Sequence, residues 1–267
     1  MKKINFVKMQ AAGNDFVVVR LAGAKGAALK ALAIRACDRK FGIGADGLLV
    51  LDRSRKADVK MRIFNSDGSE AEMCGNGVRC FAFYASKISG ENSLDIETKA
   101  GMIKTLVKGD LVKARLSKPK DLKLDLAVRL GQRVLKVNYI NTGVPHAVIF
   151  TSCLDKINVK DIGRLIRYHK IFLPKGTNVD FVEVTGKDSV SVRTYERGVE
   201  DETLACGTGS TASALVFALK TGADNKVDVR TKMGEILKIY FKNGPGGLDD
   251  VWLEGKVYTV CKGEYYV

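Results

Sequence analysis

Two short stretches of this 267-residue chain nearly copy each other, and they constrain its fold more than any other feature. One is Met73-Cys74-Gly75-Asn76-Gly77; the other, 132 residues later, is Ala205-Cys206-Gly207-Thr208-Gly209. Each is a cysteine followed by a Gly-x-Gly loop. Each is preceded by an acidic stretch, Ser69 to Glu72 and Glu200 to Glu202, and followed by a small-residue apolar run that reads as a helix.

Around these loops the two halves can be laid over one another in order. Gly13 with Phe16 to Val19 falls on Gly143 with Ala147 to Phe150, and Gly44-Ala45-Asp46 falls on Gly176-Thr177-Asn178. Arg62 to Asn65 falls on Arg193 to Glu196, and Asp95 to Lys99 on Asp228 to Lys232, so the offset drifts only from 130 to 133. Five matches in one order at a nearly constant offset indicate an internal repeat. The expected fold class is α/β of the α+β type: two similar mixed, mostly antiparallel domains, each wrapped around a central helix led by its cysteine loop. The expected boundaries are 1–118 and 119–258, with a linker near Lys118-Pro119-Lys120 and a last strand, about 259–267, returning to the first domain. The periodicity predicts helices over 27–40, 78–87, 159–169 and 210–220. The two sulfurs are expected to face each other across an active-site cleft between the domains.

Composition narrows the function classes. The net charge is +14, but the lysines are spread along the chain with no run of five or more. That argues for a solvated surface and an attraction for anionic small molecules rather than for nucleic acid. The N-terminus, Met1-Lys2-Lys3-Ile4, has no signal-peptide pattern, and no apolar run approaches the ~20 residues of a membrane span. A cytoplasmic protein without a membrane partner is therefore expected. Six cysteines without a C-x-x-C pair, beside only two histidines, support neither a zinc site nor a disulfide framework. Cys37, Cys80, Cys153 and Cys261 sit beside apolar residues and are expected to be buried as small hydrophobes.

A cysteine at a helix N-terminus meets unpaired amides carrying partial positive charge, which favours a thiolate. The amides of Gly75 and Asn76 on one side, and of Gly207 and Thr208 on the other, would clamp a carboxylate. An amino acid held there would present its α-carbon to two sulfurs. One thiolate removes the α-proton and the other thiol donates a proton to the opposite face, inverting the centre. As the carbanion forms, charge moves onto the carboxylate, so the amides act as an oxyanion hole. This chemistry needs neither pyridoxal phosphate nor a metal, so no cofactor is expected.

The chain resembles the diaminopimelate epimerase family along essentially its whole length. The resemblance rests on Gly13-Asn14-Asp15-Phe16, Gly42 to Gly47, Phe64 to Gly68, Met73 to Arg79, Pro145-His146, Asn178, and Glu196-Arg197-Gly198 with Thr203 to Gly209. It implies an isomerase that interconverts LL- and meso-diaminopimelate for lysine and peptidoglycan precursors, folded as two α/β domains that close over the substrate and paired as a homodimer. It makes Cys74 and Cys206 the acid/base residues. It assigns Asn14, Asn65, Asn178 and Arg197 to substrate, Arg197 to the distal carboxylate, and Glu196 to the ammonium; His146 and Glu196 tune the cysteines. The chain departs at Gly47 and Val144 from some family members, which carry Gln and Asn there. An epimerase of another amino acid, proline racemase-like, remains open on the same fold. A thiol redox protein and a basic nucleic-acid binder are the readings from other classes.

Overall fold

The computed structural model describes residues 3–244 and 247–267; Met1 and Lys2, which open the N-terminal reading, lie outside the described residues. The chain divides into two compact units, Met1–Arg115 with Gly255–Val267, and Leu116–Glu254.

In the first unit β1 (Lys3–Ala11) runs into β2 (Asn14–Arg20) through Ala12 and Gly13, both at positive φ (49° and 87°). Two left-handed residues in succession make the tight hairpin whose twist matches its strands. The order continues with α1 (Gly26–Cys37), β3 (Gly47–Asp52), β4 (Val59–Asn65), β5 (Glu70–Ala71) and α2 (Gly75–Ser89). It closes with β6 (Ser93–Thr98), β7 (Gly101–Lys108) and β8 (Leu111–Arg115). β2 and β3 are parallel, as are β4 and β6, while β1–β2, β3–β4, β6–β7 and β7–β8 are antiparallel. A parallel pair cannot be joined by a hairpin, so α1 and α2 are the crossovers. They cover opposite faces of the sheet. Phe16, Val18, Leu49 and Leu51 pack with Val78, Phe81 and Ala82 of α2, whereas Val17, Val19, Leu48 and Val50 pack with Leu29, Leu32 and Ala33 of α1. Burial on both faces is why β2 and β3 read as continuous apolar runs rather than alternating ones.

The second unit repeats this topology. It comprises β9 (Lys120–Leu130), β10 (Arg133–Asn141), β11 (Pro145–Phe150), α3 (Val159–Arg167) and β12 (Asn178–Gly186). There follow β13 (Ser189–Glu196), β14 (Asp201–Thr203), α4 (Gly207–Thr221), β15 (Lys226–Arg230), β16 (Ile236–Gly244) and β17 (Gly247–Lys256). β11–β12 and β13–β15 are its parallel pairs, bridged by α3 and α4. The last strand, β18 (Tyr258–Tyr266), pairs antiparallel with β1, as β9 does with β10.

In both units one edge of a strand is divided between two partners. Val59 and Lys60 of β4 pair with β6, while Ile63 and Phe64 pair with β5. Ser189 to Ser191 of β13 pair with β15, while Thr194 to Glu196 pair with β14. The cysteine helix leaves from this split. A guanidinium fork fixes it each time: Arg62 Nε and Nη2 donate to Glu70 at 2.8 and 3.1 Å, and Arg193 Nε and Nη2 to Glu202 at 2.7 and 2.9 Å. The planar guanidinium suits that bidentate job, and the same pin recurs because each hairpin must launch a buried helix.

Several expectations are corrected. The helix expected over 27–40 stops at Cys37, because the Asp38 carboxylate accepts the N–H groups of Lys40 and Phe41 at 2.7 and 2.8 Å and turns the chain out of the helix. The helices expected over 78–87 and 210–220 start three residues earlier, capped by the cysteines themselves. Residues 120–137, without a sequence assignment, form β9 and the start of β10; β9 is mostly exposed, so it carries little apolar periodicity. Cys37 and Cys80 are buried as expected, but Cys153 and Cys261 are exposed. Cys153 lies in the turn after β11, and Cys261 lies on the mostly exposed β18. No helix among the described residues is long and apolar enough to cross a membrane.

Candidate active site

Each unit carries one cluster of candidate residues at the head of its buried helix. In the first, Cys74 is the N-cap of α2, in extended backbone (φ −142°, ψ 123°), and its Sγ accepts the Gly77 N–H at 3.4 Å. The cap position favours short polar acceptors, and a sulfur there serves as a weak one. The amides of Gly75 and Asn76 belong to the first helical turn and have no partner within the helix.

The Asn76 side chain is buried and fixed from two sides. It accepts from Arg79 Nη2 at 2.9 Å and donates to Asn14 Oδ1 at 2.8 Å. Asn14 Nδ2 in turn donates to Asp46 at 3.0 Å. Arg39 closes the network, donating to Asp46 at 2.7 Å and to both oxygens of Asp15 at 2.8 and 3.1 Å, with Lys8 a further 3.1 Å from Asp15. Burial raises the Asp15 carboxyl, but the Arg39 and Lys8 cations outweigh it and hold it below its usual range. Asn65 ends β4, exposed, with its Nδ2 on the Ser69 hydroxyl at 2.9 Å; across the β3–β4 pair it faces Gly47.

In the second unit Cys206 caps α4 in the same way (φ −123°, ψ 113°), its Sγ accepting the Gly209 N–H at 3.4 Å and lying 3.3 Å from the Thr208 hydroxyl. The Thr142 hydroxyl donates to the Thr208 carbonyl at 3.0 Å. Beneath the helix start lies a fully buried pair: His146 Nδ1 is 2.7 Å from Asp180 Oδ2, and Thr194 Oγ1 donates to Asp180 Oδ1 at 2.8 Å. Gly209 permits this approach, since a Cβ there would collide with the Asp180 carboxylate and crowd the Thr194 hydroxyl. Asn178, paired with His146 across β11–β12, donates to the Pro145 carbonyl at 3.1 Å and accepts the Arg197 N–H at 2.7 Å. Arg197 Nη1 donates to the Lys175 carbonyl at 3.2 Å. Burial pushes the Glu196 carboxyl up.

The electrostatics of Cys206 overturn the expectation that its helix terminus would lower its pKa. Burial, then the charges of Glu196 and Asp180, raise the thiol well above its ordinary value, outweighing the Thr208 hydroxyl and the Gly209 amide. The helix amides are fixed partial charges, whereas the carboxylates carry more charge in a site that water screens poorly. Alkylation of Cys206 by iodoacetamide, followed by peptide mass spectrometry, is therefore expected to stay slow at pH 7–8 and to rise only above the ordinary thiol range of about 8.5. Glu196→Gln removes a negative neighbour and shifts that onset to lower pH.

Of the residues singled out in the sequence, Asn14, Cys74, Gly75 and Asn76 gather in the first unit's cluster, with Asn65 on β4. His146, Asn178, Glu196, Arg197, Cys206, Gly207 and Thr208 gather in the second. The sequence gives no role to Asp180, Thr194 or Arg39, nor to Asp46 and Arg79, although the last two lie in stretches that carry the resemblance. A signal existed for Asp180: it is the one charge in the otherwise apolar run Val179 to Val182.

The family model described as diaminopimelate epimerase matches residues 6–119 and 138–251. The chain is 43% identical to the diaminopimelate epimerase of Aquifex aeolicus, covering 97% of each, and 46% identical to that of Archaeoglobus fulgidus, covering 89% of each. Among solved structures it shares its fold with a PhzF-family phenazine biosynthesis protein of Bacillus anthracis (TM-score 0.77, 20% identity, 100% of both chains). It also shares it with a hydroxyproline epimerase of Agrobacterium vitis (TM-score 0.72, 14% identity, 99% of this chain and 91% of that one). These structural likenesses speak to the fold alone, whereas the two-part match and the identity along the whole length speak to descent: the chain belongs to the diaminopimelate epimerase family.

Proposed function

We propose that this chain interconverts LL- and meso-diaminopimelate, taking a proton from one face of the α-carbon and returning one to the other, without a cofactor, on the route to lysine and peptidoglycan precursors. The observation that carries the reading is the duplicated cysteine-capped helix N-terminus, one per unit, in a chain that matches the family model through both halves.

In one direction Cys206, whose thiol is pushed up by burial and by Glu196 and Asp180, is the acid and Cys74 is the base. Cys74 thiolate takes the α-proton, breaking the C–H bond and forming S–H; Cys206 gives its proton to the opposite face. The enzyme is left with Cys74 as thiol and Cys206 as thiolate, the state that runs the reverse reaction. The two sulfurs therefore titrate as a pair. The amides of Gly75, Asn76, Gly207 and Thr208 hold the reacting carboxylate and strengthen as it gains charge. Asn14, Asn65 and Asn178 orient the substrate, Glu196 meets the ammonium, and Arg197 takes the distal carboxylate in a bidentate pair. His146 and Glu196 set the charge around Cys206. The same reading makes the protein a cytoplasmic homodimer acting in the cleft between its domains.

The test is epimerisation of LL-diaminopimelate by the purified, reduced protein in deuterated water, with proline and glutamate as controls and nothing added. Deuterium is expected at the α-carbon, preferentially in product of inverted configuration. Inversion of proline but not of diaminopimelate would replace this substrate with a cyclic one.

A further inference from the structure

We propose that Glu200 is a positioning residue for Arg197: with Arg167 it pins the loop that carries Arg197 and so sets affinity for the carboxylate end of the substrate. This rests on the assignment of Arg197 made above.

The loop from Glu196 to Glu200 is held by polar contacts rather than by packing. Val199 at its tip is 58% exposed. Glu200 itself adopts a left-handed backbone (φ +58°), which a residue with a Cβ keeps only where its surroundings over-determine it. Those surroundings are present. Glu200 Oε1 accepts the Gly198 N–H at 3.0 Å and Arg167 Nε at 3.2 Å, and its Oε2 accepts the Tyr195 hydroxyl at 3.2 Å. The Glu200 N–H closes the loop on the Glu196 carbonyl at 2.8 Å. Burial raises the Glu200 carboxyl, but the Gly198 amide and the Arg167 cation hold it below its usual range.

Arg167 ties this clamp to Arg197 through one shared acceptor, the Lys175 carbonyl. It is the last residue of α3, its guanidinium lies over the Tyr168 ring at 4.6 Å, and its Nη1 donates at 3.4 Å to the Lys175 carbonyl. Arg197 Nη1 uses that same carbonyl, at 3.2 Å. Residue 176 is glycine where a Cβ would collide with the Arg167 guanidinium. The shared oxygen takes one of Arg197's five N–H groups and leaves the rest of its fork for a carboxylate. Without the clamp the loop gains conformers, and the bidentate pair must first order it.

Steady-state kinetics on the full chain test this, with Glu200→Gln and Arg167→Gln each made alone and on Arg197→Ala. Either single change is expected to raise KM for diaminopimelate roughly 10-fold, with kcat within about twofold, because it loosens binding and not the proton transfer. On the Arg197→Ala background the further change is expected to stay under about twofold. Arg167→Gln removes the same ion pair from α3, so the question is answered even where Glu200→Gln does not fold. A parental KM with a lowered melting temperature in both variants would make the clamp merely structural and overturn the proposal; so would an undiminished KM rise on Arg197→Ala. If Arg197→Ala alone keeps the parental KM, the Arg197 assignment has failed and the proposal falls with it. If Arg197→Ala raises KM and neither clamp variant does, only the pinning has failed.

Discussion

Replacing either Cys74 or Cys206 by serine is expected to lower inversion of diaminopimelate by roughly a thousandfold, within the 10²–10⁴ range of a lost general acid or base. Serine keeps the size and the cap, since its hydroxyl accepts a helix N–H better than sulfur does. What it loses is proton affinity in the useful range: a hydroxyl does not ionise where a thiol can. The loss therefore falls on kcat, and the far-UV circular dichroism and melting temperature stay at parental values. The two variants are also expected to differ from an ordinary dead enzyme. Each retains one sulfur, so α-proton exchange with deuterated water from one epimer outlasts inversion. A Cys206→Ser or Cys74→Ser protein that inverts substrate at near-parental rate would end the two-base assignment.

The second large effect is on stability. Asp180→Ala is expected to cost about 3 kcal/mol, because it leaves His146 and the Thr194 hydroxyl without their acceptor in a site from which both the His146 and Asp180 side chains are fully withdrawn from water. By calorimetry that corresponds to a fall in melting temperature of roughly 6–12 °C. Removing the exposed Lys3–Glu264 pair is the contrast: both side chains are largely in solvent, and the shift is expected to stay within roughly 2 °C. Asp180→Ala also removes a negative charge next to Cys206, so the pH at which Cys206 alkylates is expected to move down. A variant that melts at the parental temperature would show that the His146–Asp180 pair contributes little net stability.

The two cysteine clusters were legible to different depths for definable reasons. The caps could be read because their causes are local: a residue in extended backbone, then Gly-x-Gly, then a small-residue helix. Cysteine is not a usual cap, so apolar periodicity alone places each helix start three residues late. The Arg62 and Arg193 strands were aligned correctly, but their forks onto Glu70 and Glu202 needed the β4–β5 and β13–β14 hairpins to be seen. Asp180 stayed hidden because its partner, His146, lies 34 residues away, and only the parallel register that sets His146 opposite Asn178 brings it near. Glu200 was read as part of an acidic stretch; its left-handed backbone and its bonds to Arg167 and Tyr195 leave no local trace.

By itself the sequence determined that there would be two alike halves, each leading from a strand through a cysteine loop into a helix, and which chemistry two such sulfurs suit. Those properties follow from near-neighbour geometry, which a few residues specify. Only the tertiary structure decided that burial, Glu196 and Asp180 push the Cys206 thiol up, that Asp180 lies beneath the start of its helix and that Glu200 gathers Gly198, Arg167 and Tyr195. Desolvation and charge are sums over groups brought together from distant points of the chain, and no local pattern contains that sum.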